Sequence, residues 1–178
     1  MTIPFHRPNV PKDLNDVFVS SIQSGWLTTG SVVQTFEEKL SIYLSSKSVV
    51  AMNSCTGALH LALVAKGFGK NDKFIAPTNT FVSTIECGCY IGMEPILIDS
   101  QKDGFLIDLN KVEDMLKRDS SIKAIVPVHY AGEALDLKFL YDIADKYGVF
   151  ILEDAAHAFE TVTNVGKVGN TNYAAARS

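Results

Sequence analysis

The stretch that decides the fold is Phe150-Ile-Leu-Glu-Asp-Ala-Ala-His-Ala158, an apolar run that ends in two carboxylates, with a histidine three residues after the second. Residues 149–152 are consecutive apolar positions directly after Gly148, a helix-ending residue, so they read as a fully buried strand. In an open α/β sheet the ligand sits beyond the carboxyl ends of the strands, which puts Glu153, Asp154 and His157 where chemistry is normally done. A carboxylate there has two chemical uses. It holds a metal together with His157, or it pairs with a protonated ring nitrogen of a cofactor and keeps that nitrogen charged. A plainer reading makes Asp154 the cap of the next turn, with His157 packed beside it.

Outward from this strand, strands and helices alternate. The pattern predicts strands at 48–52, 74–76, 95–98 and 122–128, and helices at 56–65, 81–90, 109–117 and 135–147. Two amphipathic helices come first, at 12–22 (Leu14, Val17, Phe18, Ile22) and 33–44 (Val33, Phe36, Leu40, Tyr43), joined by a loop at 25–30. Both read as packing elements. Such alternation means a three-layer αβα fold with a mostly parallel sheet and right-handed crossovers. No internal repeat, low-complexity tract or linker interrupts it, so a single domain is expected. Residues 162–178, rich in Gly, Asn, Thr and Ala, show neither a cap nor a closing strand, and the chain looks cut off there.

Composition bounds the function. With 178 residues, 47% hydrophobic, 20% charged and a net charge of −4, the chain has the profile of a soluble globular domain with no electrostatic footprint for nucleic acid. Its N-terminus, residues 1–10, lacks a charged start followed by an apolar run, and no apolar run is long enough to span a bilayer; no membrane role and a cytoplasmic location are expected. Cys55, Cys87 and Cys89 are an odd set without Cys-x-x-Cys spacing, which suits reduced, mostly buried thiols. The four histidines lack metal-ligand spacing, so no metal site is expected.

Three further stretches fall at strand ends. Residues 51–60, Ala-Met-Asn-Ser-Cys-Thr-Gly-Ala-Leu-His, open a helix with Ser54, Thr56 and Gly57 at the turn. Free backbone N–H groups, a hydroxyl and the positive end of a helix dipole meet there, as a phosphate requires, although an ordinary helix cap fits equally well. Phe81 follows the next strand, where it either stacks on a planar cofactor or enters the core. Residues 127–132, Pro-Val-His-Tyr-Ala-Gly, bring His129 and Tyr130 to the same edge; a lone histidine at such a point is more often structural than catalytic.

Together and in this order, the turn at 51–60, Phe81, the 127–132 segment and the Glu-Asp-Ala-Ala-His-Ala segment resemble the DegT/DnrJ/EryC1/StrS family of pyridoxal-phosphate-dependent sugar aminotransferases. The resemblance runs from the Gly25-Trp-Leu-Thr-Thr-Gly30 loop to about Tyr173. It implies an aspartate aminotransferase-like (type I) fold, with residues 1–178 as the N-terminal part of the cofactor-binding large domain and the smaller C-terminal domain absent. It implies that Thr56 and the Gly57 backbone bind the phosphate, that Phe81 stacks on the pyridine ring, that Asp154 pairs with the ring nitrogen, and that His157 bonds near the phenolic oxygen. The implied substrate is a nucleotide-linked keto-sugar, with glutamate as amino donor, in polysaccharide or deoxyaminosugar biosynthesis. The implied assembly is a homodimer, and loops 25–30 and around His129 are expected near the sugar.

Transamination also needs a lysine to form the Schiff base and shuttle the proton. In the family it follows a Ser-Phe-containing strand shortly after the segment that here is Gly166-Lys-Val-Gly169, so Lys167 is not its match and this chain stops before reaching it. His157 is then the one site residue left with a catalytic role, and activity of the chain alone is not expected. Two alternatives follow: a non-catalytic remnant or cofactor-binding partner module, and a lysine-free sugar dehydratase relative. An unfinished α/β domain also exposes apolar faces, which predicts poor solubility or association.

Overall fold

A computed structural model describes residues 9–178; residues 1–8 of the N-terminal stretch lie outside the described part. Two helices lead, α1 (Leu14–Gln23) and α2 (Ser31–Leu44). After an irregular segment come α3 (Cys55–Ala65), β1 (Lys73–Pro77), α4 (Ser83–Cys89), β2 (Glu94–Ile98), α5 (Leu109–Arg118) and β3 (Ile122–Ile125). Next are α6 (Leu137–Tyr147), β4 (Phe150–Asp154), a small antiparallel hairpin of β5 (Val162–Thr163) and β6 (Gly166–Lys167), and β7 (Ala174–Ala176). The main sheet has the order β2-β1-β3-β4-β7 with every pairing parallel, so the expected helix-covered parallel sheet is what the chain builds.

Strand periodicity sorts the core into two layers. Ile75, Ile125 and Ile151 join Val112 and Leu116 of α5 and Leu140 and Ile143 of α6 on one face. On the other, Phe74, Ala76, Ala124 and Leu152 pack on Leu59 and Leu63 of α3 and Cys87 of α4. Alternate side chains point to opposite faces, so the middles of β1 and β4 are continuous apolar runs because both faces are covered. The helices on the first face are capped by side chains: Asp108 accepts from the N–H groups of Asn110 and Lys111, and Asp136 from that of Phe139. Gly148 ends α6 at φ 66°, a left-handed conformation that favours glycine and that turns the chain directly into β4.

Three expectations are corrected. Residues 48–52 form no strand: no described strand lies alongside them to take their backbone hydrogen bonds, the Ala51 N–H donates to Glu37 Oε1 (2.7 Å), and Val50 is 69% exposed. The alanine-rich tail does close the sheet, because Ala174–Ala176 run beside Leu152–Asp154 as an edge strand. Finally, α1 buries none of its residues among the described part of the chain, with Val17 and Phe18 more than half exposed, so it is not the core packing element expected. Beyond residue 125 the third strand is broken, although Val126 still donates to Ile75 O (2.8 Å) and Val128 bridges Asp154.

Candidate active site

Strand parity separates the two carboxylates at the end of β4. Asp154 shares a face with Leu152 and turns toward α3 and α4, where it is only 5% exposed. Its Oδ2 accepts the Thr84 hydroxyl at 2.6 Å, and its Oδ1 accepts the Ala156 N–H at 3.2 Å with the Cys55 thiol at 3.9 Å. The turn-capping reading of Asp154 thus holds through Ala156, alongside its position at the cavity. Burial, with the Asp154 charge beside it, pushes the Cys55 thiol up to about 12.

Glu153 points the other way. It is fully buried with His129, whose Nε2 lies 3.0 Å from Glu153 Oε2, while the Tyr141 hydroxyl donates to Oε1 at 2.5 Å. The Leu135 N–H donates to His129 Nδ1 (3.4 Å), which leaves the ring proton on Nε2, aimed at the carboxyl group. Glu153 and His129 therefore tie β4 to the α6 layer and do not meet a ligand at the other face. Among the described residues, no group of three or more His, Cys, Asp or Glu side chains is arranged to hold a metal ion.

A cavity of about 480 Å³ opens at the carboxyl edge of the sheet, lined by Cys55, Thr56, Thr80, Phe81, Asp154 and His157, with Tyr130, Ala156 and Ser178 on its walls. Phe81 is 74% exposed and so belongs to this edge and not to the core. His157 Nδ1 accepts the Ala131 N–H (3.2 Å), leaving its Nε2 proton free to donate. Ser54 caps α3 by accepting the Gly57 N–H (3.0 Å), so the helix-cap reading of this turn is realised. Of the residues read from sequence as site candidates, Thr56, Phe81, Asp154 and His157 meet at one cavity, with Gly57 a residue beyond Thr56. Loop 25–30 contributes nothing to this wall. Sequence reasoning missed Thr84 and Cys55, whose only signal is that each lies within a residue or a turn of a candidate residue, Thr56 or Phe81.

The residues fit a phosphorylated aromatic cofactor. A cavity of this size lies in the range of roughly 300–1,000 Å³ of small-molecule sites. A buried carboxylate faces it, and α3 starts at its rim with first-turn N–H groups that an anion can take. A Cβ at position 57 would stand 2.9 Å from Asn53 Oδ1, so glycine keeps this turn open.

A helix-covered parallel sheet with a cavity at this edge is the architecture in which α/β proteins place a small-molecule site. The chain belongs to the DegT/DnrJ/EryC1/StrS aminotransferase family, whose model matches residues 8–178. It is 36% identical over 176 residues to the spore coat polysaccharide biosynthesis protein SpsC of Bacillus subtilis (strain 168), covering 99% of this chain and 45% of SpsC. With the UDP-4-amino-4-deoxy-L-arabinose–oxoglutarate aminotransferase of Shewanella sediminis (strain HAW-EB3) it shares 32% identity, over 95% of this chain and 43% of that protein. The crystal structure of DesV from S. venezuelae superposes with a TM-score of 0.88 at 28% identity, over 92% of this chain and 44% of DesV. The chain thus spans under half the length of the relatives it matches. Aminotransferases of this family use pyridoxal phosphate, and solved relatives are described in PLP and PMP forms.

Proposed function

We propose that this chain is the cofactor-binding part, at the N-terminal side of the large domain, of a pyridoxal-phosphate-dependent sugar aminotransferase. One observation carries the reading: a buried carboxylate, Asp154, facing a cavity that Phe81, Thr56 and His157 also line. Thr56 and the Gly57 backbone, at the positive end of α3, bind the phosphate, the Gly57 N–H leaving its Ser54 cap to do so. Phe81 stacks on the ring, Asp154 holds the ring nitrogen protonated, and the His157 Nε2–H donates at the phenolic oxygen. The cofactor, when bound, supplies an electron-withdrawing pyridinium that stabilises negative charge on the carbon losing its proton.

The whole protein's reaction is transfer of an amino group from an amino acid, glutamate, to a nucleotide-linked keto-sugar, in polysaccharide or deoxyaminosugar biosynthesis. Support comes from relatives whose names join a nucleotide amino-sugar with oxoglutarate, and a coat polysaccharide with its biosynthesis. The reading includes a homodimer and a cytoplasmic location; the three free cysteines support the second.

The test is equilibrium dialysis of the chain against pyridoxal 5'-phosphate. Saturable uptake of one equivalent, lost by roughly 10-fold or more in Asp154→Ala, is expected, since an ionic partner of this kind is worth on the order of 1.5–3 kcal/mol. Uptake that Asp154→Ala leaves unchanged overturns the reading.

A further inference from the structure

The hydrogen bonds around Asp154 carry a step beyond its own role. Thr84 is completely buried on α4, and its hydroxyl reaches across the helix–sheet interface to Asp154 Oδ2 at 2.6 Å. That is the length of a charge-assisted O–H···O⁻ bond, about 2.5–2.7 Å. Behind it, Thr80 Oγ1 stands 2.6 Å from Thr84 Oγ1. A hydroxyl has one proton, and a carboxylate only accepts. Thr84 therefore spends its proton on Asp154, and Thr80 must donate to Thr84. The result is a directed relay, Thr80 to Thr84 to Asp154, whose first member lines the cavity and whose last is the buried carboxylate.

The relay fixes the plane of the carboxylate. Oδ2 is anchored by Thr84 on the α4 side and Oδ1 by the Ala156 N–H on the strand side. Oδ1 also takes the weak Cys55 thiol donor, whereas Oδ2 has room for a second donor beside Thr84, so the anchored group still accepts from a ligand while its rotation is blocked. Without the Thr84 hydroxyl, one anchor of a buried anion is gone, and the side chain can turn away from the cavity or draw in water.

We propose that Thr84, polarised by Thr80, is the positioning residue of Asp154: it sets the orientation in which the carboxylate meets the cofactor's ring nitrogen. The inference rests on the proposed role of Asp154, and the test separates the two. Pyridoxal 5'-phosphate is dialysed against the 178-residue chain, Thr84→Val, Thr84→Ala, Thr84→Ser, Asp154→Ala and the double variant Thr84→Val with Asp154→Ala. Thr84→Val keeps the shape and removes the hydroxyl; Thr84→Ala makes the same deletion if the valine form does not fold.

The dissociation constant is expected to rise roughly 10-fold in either deletion, and to stay within about 3-fold of the parent in Thr84→Ser, which restores the donor. In the Asp154→Ala background the Thr84→Val change should add less than about 2-fold, because Thr84 acts only through the carboxylate. Loss of binding in Asp154→Ala with none in the Thr84 deletions overturns the positioning role alone. An equal loss in both backgrounds, or no rescue by serine, makes Thr84 merely structural and overturns it too. If Asp154→Ala binds like the parent, or the parent shows no saturable uptake, the reading of Asp154 falls and the inference with it.

Discussion

Replacing Tyr141 with phenylalanine isolates the polar tie beneath the site. The Tyr141 ring stacks on Tyr173 with centroids 4.6 Å apart, and phenylalanine keeps that contact, so the change removes one hydroxyl. That hydroxyl donates to Glu153 Oε1 at 2.5 Å, and Glu153 is fully buried, so the oxygen left behind has no solvent to turn to. A hydrogen bond to a charged group is worth about 1.5–3 kcal/mol, which sets the expected loss near 2 kcal/mol. In a domain of this size that corresponds to a fall in Tm of roughly 4–8 °C. The assay is urea unfolding followed by circular dichroism, with thermal melting beside it. The pH dependence adds a signed check. Burial, with the Glu153 charge next, holds the Tyr141 hydroxyl well above the usual tyrosine range. Unfolded, it ionises near 10, so its contribution is complete below about pH 10 and is lost as pH rises further while the folded hydroxyl keeps its proton. Tyr141→Phe should flatten that alkaline decline. A Tyr141→Phe chain within about 0.5 kcal/mol of the parent, with an unchanged alkaline slope, would refute the argument.

Other outcomes follow from the same structure. Cys55, pushed up to about 12 chiefly by burial and then by Asp154, should react with a thiol reagent at pH 9 at least roughly 10-fold more slowly than an ordinary thiol, and Asp154→Asn should speed it; peptide mapping distinguishes it from Cys89, and equal rates at both would contradict the assignment. Gly88→Ala should destabilise the fold by about 1–3 kcal/mol, because a Cβ there runs into the ring of the fully buried Phe74; unfolding by urea measures it, and a stabilised variant would show that α4 can shift. Phe81→Ala should leave unfolding within about 0.5 kcal/mol of the parent, because its ring is mostly exposed, yet weaken pyridoxal phosphate uptake several-fold. Stability falling with no change in uptake would make Phe81 a packing residue.

Much of the architecture was legible from the chain. The apolar run at 74–76 lies in the buried strand β1, that at 149–152 enters β4 from Phe150, and Gly148 does end α6. Helices α5 and α6 start at Asp108 and Asp136, side chains of the type that cap. These features are local: periodicity and capping act over a few residues, so a sequence displays them directly.

Pairing is not local, and there the reading failed. Residues 48–52 have the apolar run of a strand and form none, whereas three alanines with little strand preference of their own become one, because β4 offers them an unpaired edge and no described strand offers the former a partner. The same division runs through the site. The family motifs placed Thr56, Phe81, Asp154 and His157 at strand ends, and all four line one cavity. The resemblance singled out Asp154, but the residues by themselves did not display which of two adjacent carboxylates meets the cavity. Glu153 and Asp154 stand side by side in sequence, yet a strand sends them to opposite faces, and only the helices packed there decide that one is tied to His129 and Tyr141 and the other to Thr84 and Cys55. Residue type and order determined what chemistry was on offer; the packing of α3, α4 and α6 across a two-faced sheet determined which groups could reach it.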